Sequence, residues 1–202
     1  MPGCIRLPQV GVNGVIGHQL QGFELHAVPA LQQDRLGSRQ PAHRDGGSSR
    51  VVTQSLGHIA RGEPIKLVDG GRQRRSFTDV SDGVSALMRI IENPQGRASG
   101  QIYNIGNPCN DLSVRDLAKL MLDIAKEFPE YRPGAERTEL IEVSSGDYYG
   151  KGYQDIQTRV PWIGNTTEDL DWTPRVGIRD ALREIFAAYQ HEVADARALI
   201  DD

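Results

Sequence analysis

Hydrophobic and polar positions fall into regular periods only from about Ser48 onward. Val51, Val52, Leu56, Ile59 and Ala60 recur at helical spacing and stop at Gly62, with Pro64 beyond, which predicts a helix near 49–61. A short strand follows at Ile65 to Val68 and runs into Asp69-Gly70-Gly71, a turn signal. Ser76 to Val80 reads as a second extended piece. Asp82 or Ser81 then caps a helix through Ala86, Leu87, Ile90 and Ile91 that Asn93-Pro94 ends. Gln101 to Ile105 alternates as a strand does. Ser113 opens the clearest helix, with Leu117, Leu120, Met121 and Ile124 on one face. Leu140 to Val143 reads as a strand, 144–160 as a loop rich in Gly and Tyr, and a last helix begins near Ile178 with Ala181, Ile185, Phe186 and Tyr189. This alternation predicts an α/β or α+β body.

Residues 1–44 behave differently. They contain no Lys and no Tyr, Phe23 is their only aromatic residue, and neither a two-residue nor a 3.6-residue period is sustained. A disordered or misfitting segment is expected there. The division predicted is 1–44 and 45–202.

Composition narrows the function classes. The chain of 202 residues carries 25% charged residues and a formal net charge of -4, and its pI near 5.7 argues against a general nucleic-acid binder, whose phosphate-tracking surface is strongly basic. No apolar run approaches the roughly 20 residues of a membrane span, and the start lacks the basic-then-apolar order of a secretory signal. Two cysteines, Cys4 and Cys109, make neither a disulfide framework nor a tetrahedral zinc site. A cytoplasmic location is expected.

Three stretches carry candidate chemistry. Lys66-Leu67-Val68-Asp69-Gly70-Gly71-Arg72-Gln73-Arg74-Arg75 leads a strand into a Gly-Gly turn, where backbone approaches a ligand closely, and follows it with arginines suited to bidentate phosphate bonds. A patch this small in an acidic chain suits a compact anion such as a nucleotide diphosphate; its bland alternative is a solvated basic turn. The second stretch, 144–155, packs Tyr148, Tyr149 and Tyr153 among Gly146, Gly150 and Gly152. Phenol hydroxyls and aromatic faces on a pliable backbone suit a sugar or base, and equally a surface loop over the core. Arg159, four residues past Asp155, is placed to reach the same pocket or to face water.

Together these residues resemble the extended short-chain dehydrogenase/reductases. The run Gly62 to Val80 looks like their sugar-nucleotide-binding half. The loop Tyr148-Tyr149-Gly150-Lys151-Gly152-Tyr153-Gln154-Asp155 is similar to that of the decarboxylating UDP-glucuronate dehydrogenases of bifunctional polymyxin resistance proteins. Asn104-Ile105-Gly106-Asn107-Pro108 and Leu170-Asp171-Trp172-Thr173-Pro174 fit the same family, and the resemblance runs from about residue 46 to the C-terminus. It implies an α/β fold of which this chain is the C-terminal, substrate-binding part, without the NAD-binding Rossmann half.

The activity it implies is oxidation of C4 of UDP-glucuronate by NAD, followed by loss of carbon dioxide from the β-keto acid, in the service of aminoarabinose modification of lipid A. The complete enzymes are homo-oligomers. By motif position, Lys66, Leu67, Val68, Asp69, Gly70, Gly71, Arg72, Gln73, Arg74, Arg75 and Tyr153 correspond to UDP-sugar contacts, and Arg159 to the proposed catalytic acid. A guanidinium is a poor proton donor near neutral pH, so carboxylate orientation or enolate stabilisation is as plausible a role. A UDP-xylose synthase, an epimerase, or a UDP-sugar-binding remnant without catalysis are the alternatives.

Departures from the family pattern matter as much. No glycine-rich turn follows a plausible first strand; Gly11, Gly14 and Gly17 have a superficially similar spacing but no apolar strand before them. Tyr103 is the first tyrosine, so there is no early Tyr-x-x-x-Lys pair to act as general base. No NAD binding and no membrane insertion are therefore expected of this chain. Codons for Leu25 to Leu36, read one nucleotide later, permit a peptide like the strand before the family's substrate site, and the same shift over Cys4 to Gln9 permits Tyr-x-x-x-Lys. A frameshifted gene whose family-like frame resumes near Arg44 would explain both.

Overall fold

The computed structural model describes residues 51–150 and 156–194. Helix α1 (Val51–Arg61) buries Val52, Leu56 and Ile59. Gly62 ends it at a φ of 72°, which L side chains rarely adopt. Strand β1 (Ile65–Val68) follows with Ile65 and Leu67 inward, and β2 (Arg74–Ser76) comes after the Asp69–Gly71 turn. Helix α2 (Val80–Glu92) precedes a segment of turns, then β3 (Asp111–Ser113) and α3 (Val114–Ala125). The remainder is α4 (Arg132–Arg137), β4 (Leu140–Val143), α5 (Ser145–Tyr149), β5 (Thr158–Arg159), α6 (Gly164–Leu170) and α7 (Ile178–Tyr189).

Two small sheets organise these elements. β1 and β4 pair in parallel from Ile65 with Leu140 to Val68 with Val143. β2 lies between β3, antiparallel, and β5, parallel. The principal core forms where α1, α3 and α7 meet these strands, around Ile59, Leu67, Phe77, Leu117, Met121, Ile124, Tyr131, Leu182 and Phe186. Tyr131 and Phe186 meet edge to face with centroids 4.8 Å apart, a favoured aromatic geometry. Gly134 lets α4 lie on the end of α1, because a Cβ there would collide with the Ile59 carbonyl. A second, smaller cluster joins Ala86 of α2 to Leu170 and Trp172.

Several expected elements are placed differently. The extended piece expected at 76–80 ends at Ser76, and helix α2 starts at Val80. Its cap is Asp79, whose carboxylate accepts from the Ser81 amide at 2.8 Å, and neither Ser81 nor Asp82. Asp82 is buried and accepts instead from the amides of Arg175 and Val176 at 2.9 to 3.0 Å. Residues 101–105 form no strand: no ladder partner lies beside them among the described residues, and side chains of Asn165 and Thr166 take the Ile102 and Asn104 carbonyls. The loop expected over 144–160 contains α5 and β5, and α4 and α6 had no expected counterpart. Each of these is too short to show a period.

Candidate functional site

The site starts from backbone conformation. Asp69, Gly70 and Gly71 have φ values of 47°, 76° and 64°, three successive left-handed residues, and Arg72 returns to the right-handed region at -78°. Only glycine takes such angles without steric cost, which is why two glycines stand here. Gly71 has a second reason: a Cβ on it would lie 3.0 Å from the Arg115 backbone nitrogen.

The turn's carbonyl side is tied down. Arg115 of α3 donates from Nε to the Gly70 carbonyl at 2.8 Å, and its other arm pairs with Glu142 of β4. Gln73, buried, donates from Nε2 to the Val68 carbonyl at 3.2 Å, and its own carbonyl accepts from the Val114 amide that begins α3. Asp69 makes a long-range contact from its left-handed conformation, its Oδ1 accepting the Ser145 amide at 2.9 Å. That bond fixes the start of α5 beside the turn. Ser144 caps α5, its hydroxyl accepting from the Asp147 amide and donating to the Asp147 carboxylate. Tyr148 and Tyr149, on this helix, meet edge to face at 4.7 Å.

The arginines divide by strand alternation. Arg74 donates from Nε and Nη2 to the Asp111 carboxylate at 3.0 and 2.9 Å, so it serves to clamp β2 to β3. Arg75 points the other way. Its Nη1 donates at 2.8 Å to the Ile156 carbonyl, just before β5, and in the ladder its partner is Arg159. Register partners in a parallel pair lie about 4.8 Å apart and present side chains on the same side. Arg75 and Arg159, expected from separate stretches, therefore form one cationic face.

The other expected residues sit as follows. Lys66 and Arg72 are exposed, Leu67 is fully buried in the core, and Val68, Gly70 and Gly71 line the strand end and turn. Leu67 can meet a ligand only through its backbone. Tyr153 lies outside the described residues, as do Lys151 to Asp155 in general. Arg115, Glu142 and Asp111 were missed by sequence reasoning. Arg115 and Glu142 lie far along the chain from the turn they brace and Asp111 from the Arg74 it holds, and no local pattern marks a residue whose role is set by a distant carbonyl or guanidinium.

Among the described residues the Gly70-Gly71 turn leads from β1 into another strand. A dinucleotide's diphosphate takes a strand, a glycine turn and a helix N-terminus in that order. The Gly70-Gly71 turn is therefore not a turn of the kind that holds a dinucleotide diphosphate. No helix among them is long and apolar enough to cross a membrane.

Comparison with known proteins places this geometry. Residues 25–106 match the NAD dependent epimerase/dehydratase family. The structure is similar to the crystal structure of PbgP3 from Burkholderia pseudomallei, with 57% identity and a TM-score of 0.64 over 76% of this chain and 42% of that one. It also resembles the Thermotoga maritima UDP-glucose 4-epimerase determined with UDP-glucose, at 19% identity and a TM-score of 0.53, covering 73% of this chain and 41% of the epimerase. RMD from Pseudomonas aeruginosa, complexed with NADPH, matches at 19% identity and a TM-score of 0.55, over 73% of this chain and 44% of RMD. The fold is thus the α/β, Rossmann-like fold of NAD-dependent epimerases and dehydratases, and the chain spans less than half the length of these relatives.

Proposed function

We propose that this chain, built on part of the epimerase/dehydratase fold, is the sugar-nucleotide-binding portion of an NAD-dependent UDP-glucuronate oxidative decarboxylase, inactive in hydride transfer by itself. Residues 45–202 are that portion, and a shifted reading frame over 1–44 is our reading of the rest, against which stands a family match that already begins at residue 25; the nucleotide sequence decides between the two. The observation that carries the reading is the register of Arg75 with Arg159 beside the Gly70-Gly71 turn. The complement of two guanidinium groups on one side of a short sheet is a ligand with two separated negative groups. UDP-glucuronate has them in its diphosphate and its hexuronate carboxylate.

In this reading the left-handed turn brings backbone close to the diphosphate, Arg75 with Arg72 and Lys66 neutralises it, and Tyr153 contacts the nucleotide sugar. Arg159 holds the carboxylate and, as carbon dioxide leaves, favours the negative charge that develops on the keto oxygen. Loss of carbon dioxide from a β-keto acid needs only that electron sink, and the resulting enolate then takes a proton at the carbon that carried the carboxylate, which water can supply, so Arg159 need not release one. The epimerase solved with UDP-glucose shares the fold, which supports a sugar nucleotide as the ligand class.

Calorimetric titration with UDP tests the reading. Removing a bidentate Arg-phosphate pair costs about 1.5 to 3 kcal/mol, so Arg75→Ala weakens UDP binding about tenfold or more. Equal affinity of the two chains returns the arginines to a solvated turn.

A further inference from the structure

The turn after β1 and the start of α5 leave the same edge of one sheet. β1 and β4 pair in parallel up to Val68 with Val143, so Asp69 and Ser144 follow directly from the carboxyl ends of neighbouring strands. Ligands of open α/β sheets bind outside those ends. Two links join the segments that emerge there. Asp69 Oδ1 accepts the Ser145 amide at 2.9 Å, and Arg115 holds the Gly70 carbonyl with one arm and Glu142 of β4 with the other.

Asp69 is an odd residue for a turn that receives a diphosphate. It is the only acid between Lys66 and Arg75, and a carboxylate facing an anion opposes its binding. It also holds a φ of 47°, a region that side chains other than glycine occupy at a steric cost. The Ser145 amide accounts for both. It is the first amide of α5, where the helix itself offers no acceptor, and the Asp69 carboxylate provides one.

The placement of α5 depends on that bond. The helix runs only from Ser145 to Tyr149, and a single turn has little stability of its own. It bears the Tyr148–Tyr149 ring pair, with Tyr149 51% exposed. At about 1.5 Å of rise per residue, Tyr149 lies about 6 Å along the helix from the Ser145 amide, about the reach of a tyrosine side chain. An exposed aromatic face carried beside the turn suits the C–H face of a pyranose, and its phenol suits the ring hydroxyls.

We infer that Tyr149 is a contact for the sugar ring of the nucleotide, and that Asp69 is the positioning residue that sets it there through the Ser145 amide. The inference rests on the reading of the Gly70-Gly71 turn as a diphosphate site and deepens it. The diphosphate meets the turn, the sugar meets α5, and one hydrogen bond sets the distance between them.

Calorimetric titrations of the 202-residue chain with UDP and with UDP-glucose test this, since only the second ligand carries a sugar ring. Ser145→Pro deletes the amide hydrogen at a position where proline suits a helix. The Ser144 before it, at φ -76° and ψ 147°, already has the conformation that precedes a proline. Ser145→Ala keeps the amide and controls for the hydroxyl, and circular dichroism checks each fold. S145P should weaken UDP-glucose binding about fivefold or more and leave UDP within about twofold, whereas S145A leaves both in place. Tyr149→Ala should give the same split, and S145P/Y149A should lose no more than either change alone, because both remove one contact. An S145P chain that loses both ligands alike, or neither, overturns the inference. So does Y149A without effect, or a double variant whose losses add. A chain that binds neither UDP nor UDP-glucose contradicts the diphosphate reading and this inference with it; UDP binding with an unchanged UDP-glucose affinity in S145P removes the sugar contact alone.

Discussion

Arg75 shows how much one residue's meaning depends on register. The sequence marks it as one of three arginines after a turn and marks Arg159 as an isolated arginine 84 positions later in the numbering. Only the β2–β5 ladder places them side by side. Arg74, the immediate neighbour, is engaged by Asp111, whereas Arg75 donates to the Arg74 and Ile156 carbonyls, so residue type alone does not say which partner an arginine takes. His58 gives a residue-scale prediction of a different kind. Burial pushes its imidazole pKa below the ordinary value and outweighs the Glu63 carboxylate 3.6 Å away, and Nδ1 is buried with no hydrogen-bond partner. The folded protein holds this proton less tightly than the unfolded chain. Stability from this group is therefore complete above the unfolded value of about 6.5 and declines as pH falls from there toward the lowered folded value. Glu63, held below its ordinary pKa mainly by its bond to Arg61, adds a second loss at more acid pH. Urea midpoints should fall between about pH 7.5 and 5.5, and His58→Gln should flatten that slope; an unchanged slope would remove His58 as its source.

At the scale of elements, α2 separates what a sequence discloses from what it hides. Its existence and its end at Asn93-Pro94 are legible from apolar spacing and a breaker, and Asn93 indeed adopts the left-handed conformation that closes the helix. Its start is not. Asp79, Ser81 and Asp82 are all capping types within four positions, and local chemistry ranks them equally. Tertiary demand decides between them, because the Arg175 and Val176 amides need an acceptor and Asp82 is the one aimed at them. Asp79→Ala should cost about 1 kcal/mol, the ordinary loss of a helix cap. Asp82→Ala orphans two amides and should cost about 2 kcal/mol or more. Paired urea denaturation of the two variants checks the order, and a milder Asp82 variant would mean that water replaces its carboxylate. The segment 101–105 failed for the opposite reason, since its alternation is that of a strand but a strand exists only with a neighbour to bond.

At the scale of the whole molecule, the α/β class and the glycine turn after the first strand were legible, while the braces from Arg115 and Glu142 were not, because they join α3 and β4 to a turn some 45 and 72 positions earlier in the numbering. The same view bounds the activity. Hydride transfer needs a nicotinamide held about 3 to 3.5 Å from the sugar carbon, and the Gly70-Gly71 turn, which runs into a strand, is not the turn that would hold its diphosphate. The purified chain should form no NADH from UDP-glucuronate in the presence of NAD; turnover free of any full-length relative would overturn that expectation.

The central claim is that Arg75 and Arg159 divide one UDP-hexuronate between them, and paired calorimetric titrations with UDP-glucuronate and UDP-glucose test it most directly. The two ligands share the diphosphate and differ in the carboxylate. The account predicts that the chain binds UDP-glucuronate more tightly, that Arg159→Met removes the preference while leaving UDP-glucose affinity in place, and that Arg75→Ala weakens both ligands about tenfold or more. Equal affinities in the unaltered chain, or an Arg159→Met variant that loses both ligands alike, would contradict it.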